Sequence, residues 1–447
     1  MRKAVFDIVF ETLERDGHSD EMFQRVTARS GQELTKQEKN FLRRVSYGVI
    51  ERALELDRVI DHFSKTPVKK MKPVVRTILR MGVYELWYMD AIPASATCDE
   101  MVKLAKKKKF QALSGFVNGV LRNVARADKE TLREELAASC KGQEERLAFD
   151  YAVPLDLVEL LLKGYGKKTT KKILASYYEE NPVTIRIQTI NAQEEQVLHR
   201  LEAAGVTVEP CRYVKHAYHI REFESVENLP GFAEGHFTIQ DESSMLPVVV
   251  SGIVPGNVVV DVCSSPGGKA LHAVDALQGD GVVSARDVSE GKVARIEENA
   301  KRLRANTLEV KVWDGQEPDE AWREKADVVI VDVPCSGIGV IGRKPEIKYN
   351  AVANASELCQ LQRRIVKASV TMMKPGGTLI YSTCTINPAE NEENARWIEG
   401  HLSLKPVSLN DCLPESLTNK MTERGMLQIL PGIQEGNGFF IAKFRKS

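Results

Sequence analysis

The sequence predicts a multidomain protein in which an all-α bundle and a small α+β module precede a C-terminal α/β domain with a doubly wound sheet. The length of 447 residues allows about three domains. Apolar residues in the first 150 positions recur with the period of an amphipathic helix. From about residue 235, short β-branched runs alternate with Gly-rich turns and helical stretches, which is typical of buried parallel strands. The expected domains span residues 1–145, 146–234 and 235–447.

The composition indicates an ordered globular protein and excludes several other classes. Hydrophobic residues make up 43% of the chain and charged residues 28%, which argues against a disordered or collagen-like chain. No stretch approaches the roughly 18 uninterrupted apolar residues of a membrane span, so a cytoplasmic protein is predicted. Eight cysteines without any CxxC pair predict free thiols rather than a disulfide framework or a zinc finger, and no metal site is expected.

The first block of the chain is predicted to be helical. Apolar residues follow the helical period from Ala4 to Leu13 and again through 41–56 and 74–87. Residues up to 150 include 28 basic and 23 acidic side chains, although the whole chain has a formal net charge of zero. The sharpest local feature is a lysine cluster, Lys103 and Lys106 to Lys109. A solvated helix face and a phosphate-binding patch both explain such a cluster, and the sequence leaves the choice open.

The second block, residues 151–230, mixes helix and strand. Helical patterns give way to an alternating strand from Val183 to Gln188. A helix over 192–204 and an extended segment around 206–208 complete a pattern that suits a small α+β module. Arg186 lies in the middle of the strand, where the alternation places it opposite the apolar side chains. We therefore expect it on the exposed face of the sheet, with contact to a nucleic-acid phosphate as the alternative.

The third block offers a loop suited to a cofactor. In a doubly wound sheet, ligands bind at the carboxyl ends of the strands. The first such position is Asp261–Lys269, where glycines permit close approach of a ligand and the following helix N-terminus can receive a carboxylate. The spacing matches neither GxGxxG nor GxxxxGK[ST], which argues against a pyrophosphate or triphosphate ligand. The candidate loop residues are Cys263, Ser264, Ser265, Pro266, Gly267, Gly268 and Lys269.

Acidic residues follow the next two predicted strands. Asp287 lies 26 residues after Asp261, where its carboxylate can accept both hydroxyls of an unmodified ribose. Asp314 follows the third strand and is placed to meet an adenine edge or the adjoining backbone. Capping of the next helix explains such an aspartate equally well.

Two cysteines follow the last two predicted strands. The fourth strand delivers Asp332-Val-Pro-Cys-Ser-Gly, and the fifth delivers Tyr381-Ser-Thr-Cys-Thr. Small and hydroxyl-bearing residues, rather than bulky apolar ones, flank Cys335 and Cys384. A lone buried cysteine is usually a small hydrophobic residue, but two that are placed at one edge of a sheet predict a functional pair of thiols.

At these motifs the chain resembles the RNA cytosine-5 methyltransferases of the NOL1/NOP2/Sun family and, within it, the bacterial ribosomal small-subunit methyltransferase B (Sun/Fmu) type. The resemblance covers about the last 210 residues. The first block resembles the NusB-type helical RNA-binding module, and the middle block resembles a small RNA-recognition-like insert. The matching segments of the C-terminal block are 240–244, 261–269, 332–339, 344–348, 381–386, 390–392 and 438–443.

The resemblance implies a fold, a reaction and a cofactor. The C-terminal block would be a Rossmann-like class I methyltransferase domain that transfers a methyl group from S-adenosylmethionine to carbon 5 of a cytosine in 16S ribosomal RNA, at cytosine 967 in the reference numbering of that RNA. A cytosine within a duplex cannot present carbon 6 to a thiol, so the partner is expected to be an unpaired cytosine in a structured loop. The enzyme is expected to act as a monomer, without a membrane or a metal.

The resemblance also assigns roles. Cys384 of the TCT motif is implied to attack carbon 6, and Cys335 of the PCSG motif to assist proton removal and release. Asp332 and Lys269 complete the implied catalytic set. Cofactor contacts are implied for the Cys263–Lys269 loop, Asp287 for the ribose, Asp314 for the adenine side and Asp332 near the sulfonium.

Several alternatives stay open at this point. DNA cytosine-5 methyltransferases place their nucleophile in a Pro-Cys dipeptide, which keeps Pro334-Cys335 as a rival for the attacking role. The substrate alternatives are a transfer RNA or 23S ribosomal RNA. A non-catalytic RNA-binding assembly factor is the alternative from another class, and the four intact residues Cys335, Cys384, Asp332 and Lys269 argue against it. A dehydrogenase is disfavoured by the loop spacing.

Overall fold

The computed structural model describes residues 1–28 and 34–447. These residues form two compact units. The first unit comprises residues 1–174 together with 343–350, and the second comprises 175–342 together with 351–447.

The first unit is the predicted all-α bundle. It contains α1 (Arg2–Glu14), α2 (Ser19–Ala28), α3 (Lys36–Phe63), α4 (Pro73–Tyr88), α5 (Ala94–Lys107), α6 (Ser114–Arg126), α7 (Lys129–Ala138) and α8 (Gln143–Asp150). It also contains most of α9 (Leu155–Ser176), whose helical geometry is interrupted at Gly166. The unit therefore extends past the predicted boundary at residue 145.

Local sequence signals fix where these helices begin. Thr35 and Glu38 form a capping box at the start of α3, and the Asp128 side chain caps α7. Pro73 occupies the first turn of α4, where its missing N–H costs nothing. The apolar faces then pack into one core, in which Val49 and Ile78 are completely buried. Packing of these faces supplies most of the stability of such helices.

The segment 343–350 is part of the first unit, where two of its side chains bond to backbone oxygens of α3. Lys348 donates to the backbone oxygen of Glu51, and the Tyr349 hydroxyl donates to that of Ile50. Burial lowers the pKa of Lys348 to about 7, although Glu51 opposes this shift. The segment is thus anchored by specific polar contacts.

The lysine cluster divides into exposed and paired members. Lys106, Lys107 and Lys109 are exposed at the end of α5. Lys108 forms an ion pair with Asp7, at 2.7 Å from Nζ to Oδ1. Phosphate contact by the exposed members stays a prediction.

The second unit begins with a small antiparallel sheet. Its strands β1 (Val183–Ile187), β2 (Thr207–Pro210), β3 (Ala217–Arg221) and β4 (Phe237–Ile239) lie in the order β2-β3-β1-β4, with α10 (Glu194–Ala203) between β1 and β2. The predicted α+β module is confirmed. Because β4 pairs with β1, the small sheet continues past the predicted boundary at residue 234.

Arg186 is not on an exposed face, so both interpretations of this residue were wrong. Arg186 is only 1% exposed to solvent. The guanidinium donates to Asp275 Oδ2 at 3.1 Å, to Gln240 Oε1 at 3.1 Å and to Gln188 Oε1 at 2.9 Å. Burial lowers its pKa to about 10, although Asp275 opposes this shift. One face of the alternating strand packs on its own apolar core and the other packs against the helix Gly268–Ala276. Alternation in the sequence does not reveal this second partner.

The remainder of the second unit is a large mixed sheet flanked by helices. Strand order is β10-β12-β9-β8-β5-β6-β7, and β11 pairs with β12. Strands β5 to β9 are parallel to their neighbours within this group, whereas β12 is antiparallel to β9. The strands are β5 (Val258–Asp261), β6 (Val282–Asp287), β7 (Leu308–Val312), β8 (Ala326–Asp332), β9 (Met373–Thr383), β10 (Leu404–Pro406), β11 (Met426–Ile429) and β12 (Phe439–Lys446).

Helices pack against this sheet and connect its strands. They are α11 (Glu242–Ser251), α12 (Gly268–Ala276), α13 (Glu290–Arg302), α14 (Ala355–Ser369), α15 (Glu392–His401) and α16 (Lys420–Glu423). The central strands carry completely buried Val260, Val329 and Ile380, as expected for strands that are covered on both faces. None of the helices in the described part of the chain is long and apolar enough to cross a membrane.

Candidate active site

The loop after β5 opens a polar cradle beside the first turn of α12. Gly267 has φ +103°, a conformation that favours glycine, and it leads directly into α12 at Gly268. Both carboxylate oxygens of Asp261 and the Ser264 hydroxyl are buried without hydrogen-bond partners among the described residues. Buried polar atoms are usually paired, so these atoms mark a place where a polar ligand belongs.

The cradle is closed on one side by Asp287. Its Oδ2 accepts from the backbone N–H of Ser265 at 3.0 Å, and its Oδ1 accepts from Val288 and from Lys292. The Asp287 side chain is thus held at the end of β6, where Oδ2 keeps a further lone pair for a ligand hydroxyl. Asp314 lies in the turn after β7 and accepts from the backbone N–H of Gln316 at 3.0 Å.

The two sulfur atoms of Cys335 and Cys384 lie 3.1 Å apart. Cys384 directly follows β9, and Cys335 lies three residues beyond the end of β8. Because β8 and β9 are parallel neighbours, their carboxyl ends bring these two thiols together. Both cysteine residues are partly exposed.

The hydrogen bond with Cys384 raises the pKa of Cys335 well above its usual range, and burial adds to this shift. The Cys335 thiol is therefore held in its protonated form in this arrangement. A thiolate is the nucleophilic form of cysteine, so this arrangement favours Cys384 as the nucleophile.

A partly buried cation, Lys269, interacts electrostatically with one of the thiols. Lys269 Nζ donates to Asp332 Oδ2 at 2.7 Å, and the Ser382 hydroxyl donates to Asp332 Oδ1 at 2.7 Å. Burial acts to lower the pKa of Lys269, but Asp332 outweighs it, and Cys384 also raises the pKa. The ammonium group is thus retained, with its charge directed at the Asp332 carboxylate and at the Cys384 sulfur.

The buried carboxylate of Glu390 forms hydrogen bonds with both of the loops that carry the cysteines. Its Oε2 accepts from the backbone N–H of Ser336 at 2.9 Å and from Gln362 Nε2 at 2.9 Å. Its Oε1 accepts from the Ser336 hydroxyl at 2.5 Å and from Asn387 Nδ2 at 3.0 Å. The Ser336 hydroxyl also bonds that of Thr385 at 2.7 Å. Since Ser336 follows Cys335 and Thr385 follows Cys384, this network fixes both loops relative to each other.

The structure brings most of the sequence-predicted site residues to one edge of the sheet. Direct contacts link Lys269 with Asp332, and Cys335 with Cys384. Asp314 also follows the carboxyl end of a strand, but its carboxylate is engaged within its own turn. The sequence analysis predicts no role for Glu390, although segment 390–392 is among those that resemble the family. An acid that lies six residues after a candidate cysteine is the signal that was available.

Fold and site together define an S-adenosylmethionine-dependent methyltransferase. The doubly wound sheet ends in an antiparallel strand, and the Gly-rich loop that follows β5 lies at the carboxyl edge where such sheets bind ligands. The unpaired Asp261 and Ser264 atoms and the N-terminus of α12 suit the polar groups of that cofactor. The residues present therefore fit S-adenosylmethionine.

Comparisons with known proteins identify the family. The model described as "16S rRNA methyltransferase RsmB/F" matches residues 250–445. The NusB family model matches residues 1–126, and the model described as "Methyltr_RsmF/B-like, ferredoxin-like domain" matches residues 153–227. The NusB match corresponds to the helical block, the ferredoxin-like match to the small sheet, and the RsmB/F match to the large sheet.

Curated relatives match over the entire chain. A probable ribosomal RNA small subunit methyltransferase B from Synechocystis sp. is 32% identical over 100% of this chain and 99% of its own length. A protein of the same description from Bacillus subtilis is 31% identical over 100% of this chain and 99% of its own. A solved structure of a methyltransferase homolog protein from Pyrococcus horikoshii is 25% identical, with a TM-score of 0.60 over 69% of this chain and 100% of its own. The chain belongs to the ribosomal RNA small subunit methyltransferase B family.

Proposed function

We propose that the protein transfers a methyl group from S-adenosylmethionine to carbon 5 of an unpaired cytosine in 16S ribosomal RNA, with cytosine 967 as the expected target. The observation that carries this proposal is the pair of sulfur atoms 3.1 Å apart beside the Lys269–Asp332 ion pair. Relatives described as ribosomal RNA small subunit methyltransferases support the choice of substrate.

The chemistry of cytosine explains why a nucleophilic thiol is needed. Carbon 5 of the ring is too weak a nucleophile to accept a methyl group directly. The Cys384 sulfur bonds to carbon 6, and the electrons of the 5,6 double bond move to carbon 5. A thiolate suits this step because it is strongly nucleophilic and also leaves readily. S-adenosylmethionine supplies the methyl group when it is bound.

Asp332 and Lys269 orient and polarise the base. The Asp332 carboxylate is held by Ser382 and Lys269, so it is positioned to accept a hydrogen bond from the exocyclic amine of cytosine. Lys269 places a positive charge near the Cys384 sulfur, which favours its thiolate form. Fixed charges of this kind stabilise a transition state because they need no reorganisation during the reaction.

Cys335 completes the cycle. After methyl transfer, carbon 5 carries both a proton and the new methyl group. Loss of that proton returns the electron pair to the ring, re-forms the 5,6 double bond and expels the Cys384 thiolate. We assign receipt of this proton to the Cys335 sulfur, which lies 3.1 Å from Cys384 and would act as a thiolate after its own proton has passed to solvent.

The cofactor would be held by the loop after β5 and by the strand-end aspartates. We assign the contact surface to residues 263–269, the ribose hydroxyls to Asp287 and the sulfonium side to Asp332. The Asp314 carboxylate already accepts a hydrogen bond from Gln316. We therefore assign contact with the adenine to the backbone of this turn.

Two cysteine variants test the mechanism. Cys384→Ala should abolish methylation while S-adenosylmethionine binding, measured by calorimetry, is unchanged. Cys335→Ala should accumulate a covalent protein–RNA adduct that survives denaturing gel electrophoresis. Cys412→Ala is the matched control, because this thiol lies outside the pair. Adduct accumulation by Cys384→Ala but not by Cys335→Ala would reverse the two roles.

The substrate is tested in cells that lack the gene. Bisulfite sequencing of their ribosomal RNA should show one cytosine of the 16S molecule that loses protection. Loss of protection in a transfer RNA or in 23S ribosomal RNA instead would contradict the proposed substrate. Unchanged protection in every RNA would support a non-catalytic assembly factor.

A further inference from the structure

A second cluster of metal-binding side chains lies in the small sheet, outside the proposed active site. Cys211 directly follows β2, His219 lies in β3, and Glu242 is the first residue of α11. One potential ligand atom from each of these residues lies within 4.8 Å of those of the other two. We propose that this cluster binds a zinc ion.

Each of the three residues keeps one donor atom for the ion. The His219 Nδ1 pairs with the Thr184 hydroxyl at 3.1 Å, so Nε2 is the nitrogen left for a metal. Such a bond at the second ring nitrogen is what usually fixes the orientation of a metal-binding histidine. Cys211 Sγ lies 3.7 Å from both ring nitrogens.

Glu242 provides the independent observation that points to a ligand. Its Oε1 accepts from the backbone N–H groups of Tyr213 and Val214. Its Oε2 is buried without a hydrogen-bond partner among the described residues, and the residue is only 1% exposed. A carboxylate oxygen that is buried and unpaired is costly, and coordination of a cation would remove that cost.

The cluster lies among negatively charged side chains. The carboxylates of Glu242, Asp241 and Glu435 lie close enough to the Cys211 thiol to interact with it electrostatically. These acids also favour a cation at the cluster. Cys211 and His219 are partly exposed, which gives an ion a route from solvent and leaves room for a water ligand.

The ligand set selects the class of metal. One sulfur, one imidazole nitrogen and one carboxylate oxygen suit Zn²⁺, which is four-coordinate and accepts all three atom types, with water in the fourth position. Magnesium and calcium prefer sets made of oxygen atoms alone. The bound ion would join the β2–β3 hairpin to the first turn of α11, and so hold the small sheet against the large one.

The test uses the full-length chain. The purified protein is stripped with a chelator, zinc alone is added, excess metal is removed by gel filtration, and the retained zinc is measured by mass spectrometry. We expect one zinc ion per chain. Cobalt added in place of zinc should give a thiolate-to-metal charge-transfer absorption band.

Matched variants locate the ion. Cys211→Ser and His219→Ala should each lose the retained zinc, and Cys211→Ser should lose the cobalt band. Cys412→Ser should keep both signals. The double variant Cys335→Ser, Cys384→Ser should keep them as well, which excludes the thiol pair of the proposed active site as the zinc ligand.

Circular dichroism of each variant shows whether the chain is folded, and two results would overturn the proposal. One is a wild-type chain that retains no zinc. The other is a folded Cys211→Ser variant that retains as much zinc as the wild type, because the ion would then lie elsewhere. Neither result bears on methylation, so this test is independent of the proposed function.

Discussion

The Glu390→Gln substitution tests whether the buried carboxylate positions the two thiols. Glu390 is completely buried, and its two oxygens accept four hydrogen bonds. Glutamine keeps the shape of the side chain but exchanges one acceptor oxygen for an amide donor. If the new N–H₂ group takes the place of Oε2, it faces the backbone N–H of Ser336, which can only donate a hydrogen bond. In the other orientation it meets Asn387 Nδ2 and the Ser336 hydroxyl, and only the hydroxyl can rotate to accept.

The better orientation therefore leaves at least one donor facing another donor. An unsatisfied buried polar group costs about 1–3 kcal/mol. This free energy is divided between the stability of the fold and the placement of the sulfur atoms. If it all fell on the barrier to methyl transfer, the rate would decrease about 5- to 150-fold.

The assay combines two measurements on the same preparation. Single-turnover transfer of a labelled methyl group gives the rate, and chemical denaturation gives the free energy of unfolding. Glu393→Gln is the matched control, because it makes the same chemical change at an exposed position nearby. We expect Glu390→Gln to be slower and less stable than this control. A Glu390→Gln protein that equals Glu393→Gln in both rate and stability would refute the positioning role.

Three further predictions follow from buried groups in the second unit. Arg186→Met should destabilise this unit by about 3–5 kcal/mol because it leaves Asp275 buried without its partner, whereas Arg221→Met, at an exposed position, should change the denaturation midpoint little. Gly339→Ala should impair folding, because the added Cβ would lie 2.1 Å from the backbone oxygen of Gly438; equal melting temperatures for Gly339→Ala and Gly119→Ala, where nothing lies within 4 Å, would contradict the packing. Burial raises the pKa of Asp261 to about 7, so the native state binds more protons than the unfolded state between about pH 4 and pH 7 and its stability decreases as pH rises through this range. Asp261→Asn lacks this titration, and its unfolding free energy relative to the wild type should therefore increase over the same range, as measured by denaturation at several pH values.

Much of the architecture was predictable because it depends on local patterns. The strands β5 to β8 coincide closely with β-branched runs in the sequence, since burial on both faces demands continuous apolar residues. The Gly-rich loop was recognisable because its backbone conformation requires glycine at Gly267. The positions of Cys335 and Cys384 followed from the rule that parallel strands present their carboxyl ends at one edge.

Other features depend on partners that are distant along the chain. Arg186 has the alternation of an exposed residue, yet Asp275, its buried partner, lies 89 positions away. Glu390 draws donors from residues 336, 362 and 387. The order of the strands, and the pairing of β12 with β9 in antiparallel register, likewise arises from tertiary contacts.

The sequence by itself determined the types of elements, the loop chemistry and the identity of the candidate nucleophiles, because these depend on residue type and short-range spacing. Only the tertiary structure decided how close the two sulfur atoms lie, what holds the two cysteine loops together and which histidine lies beside Cys211 and Glu242. Hydrogen-bond and electrostatic energies depend on distances of a few ångströms between groups, and chain position does not specify those distances.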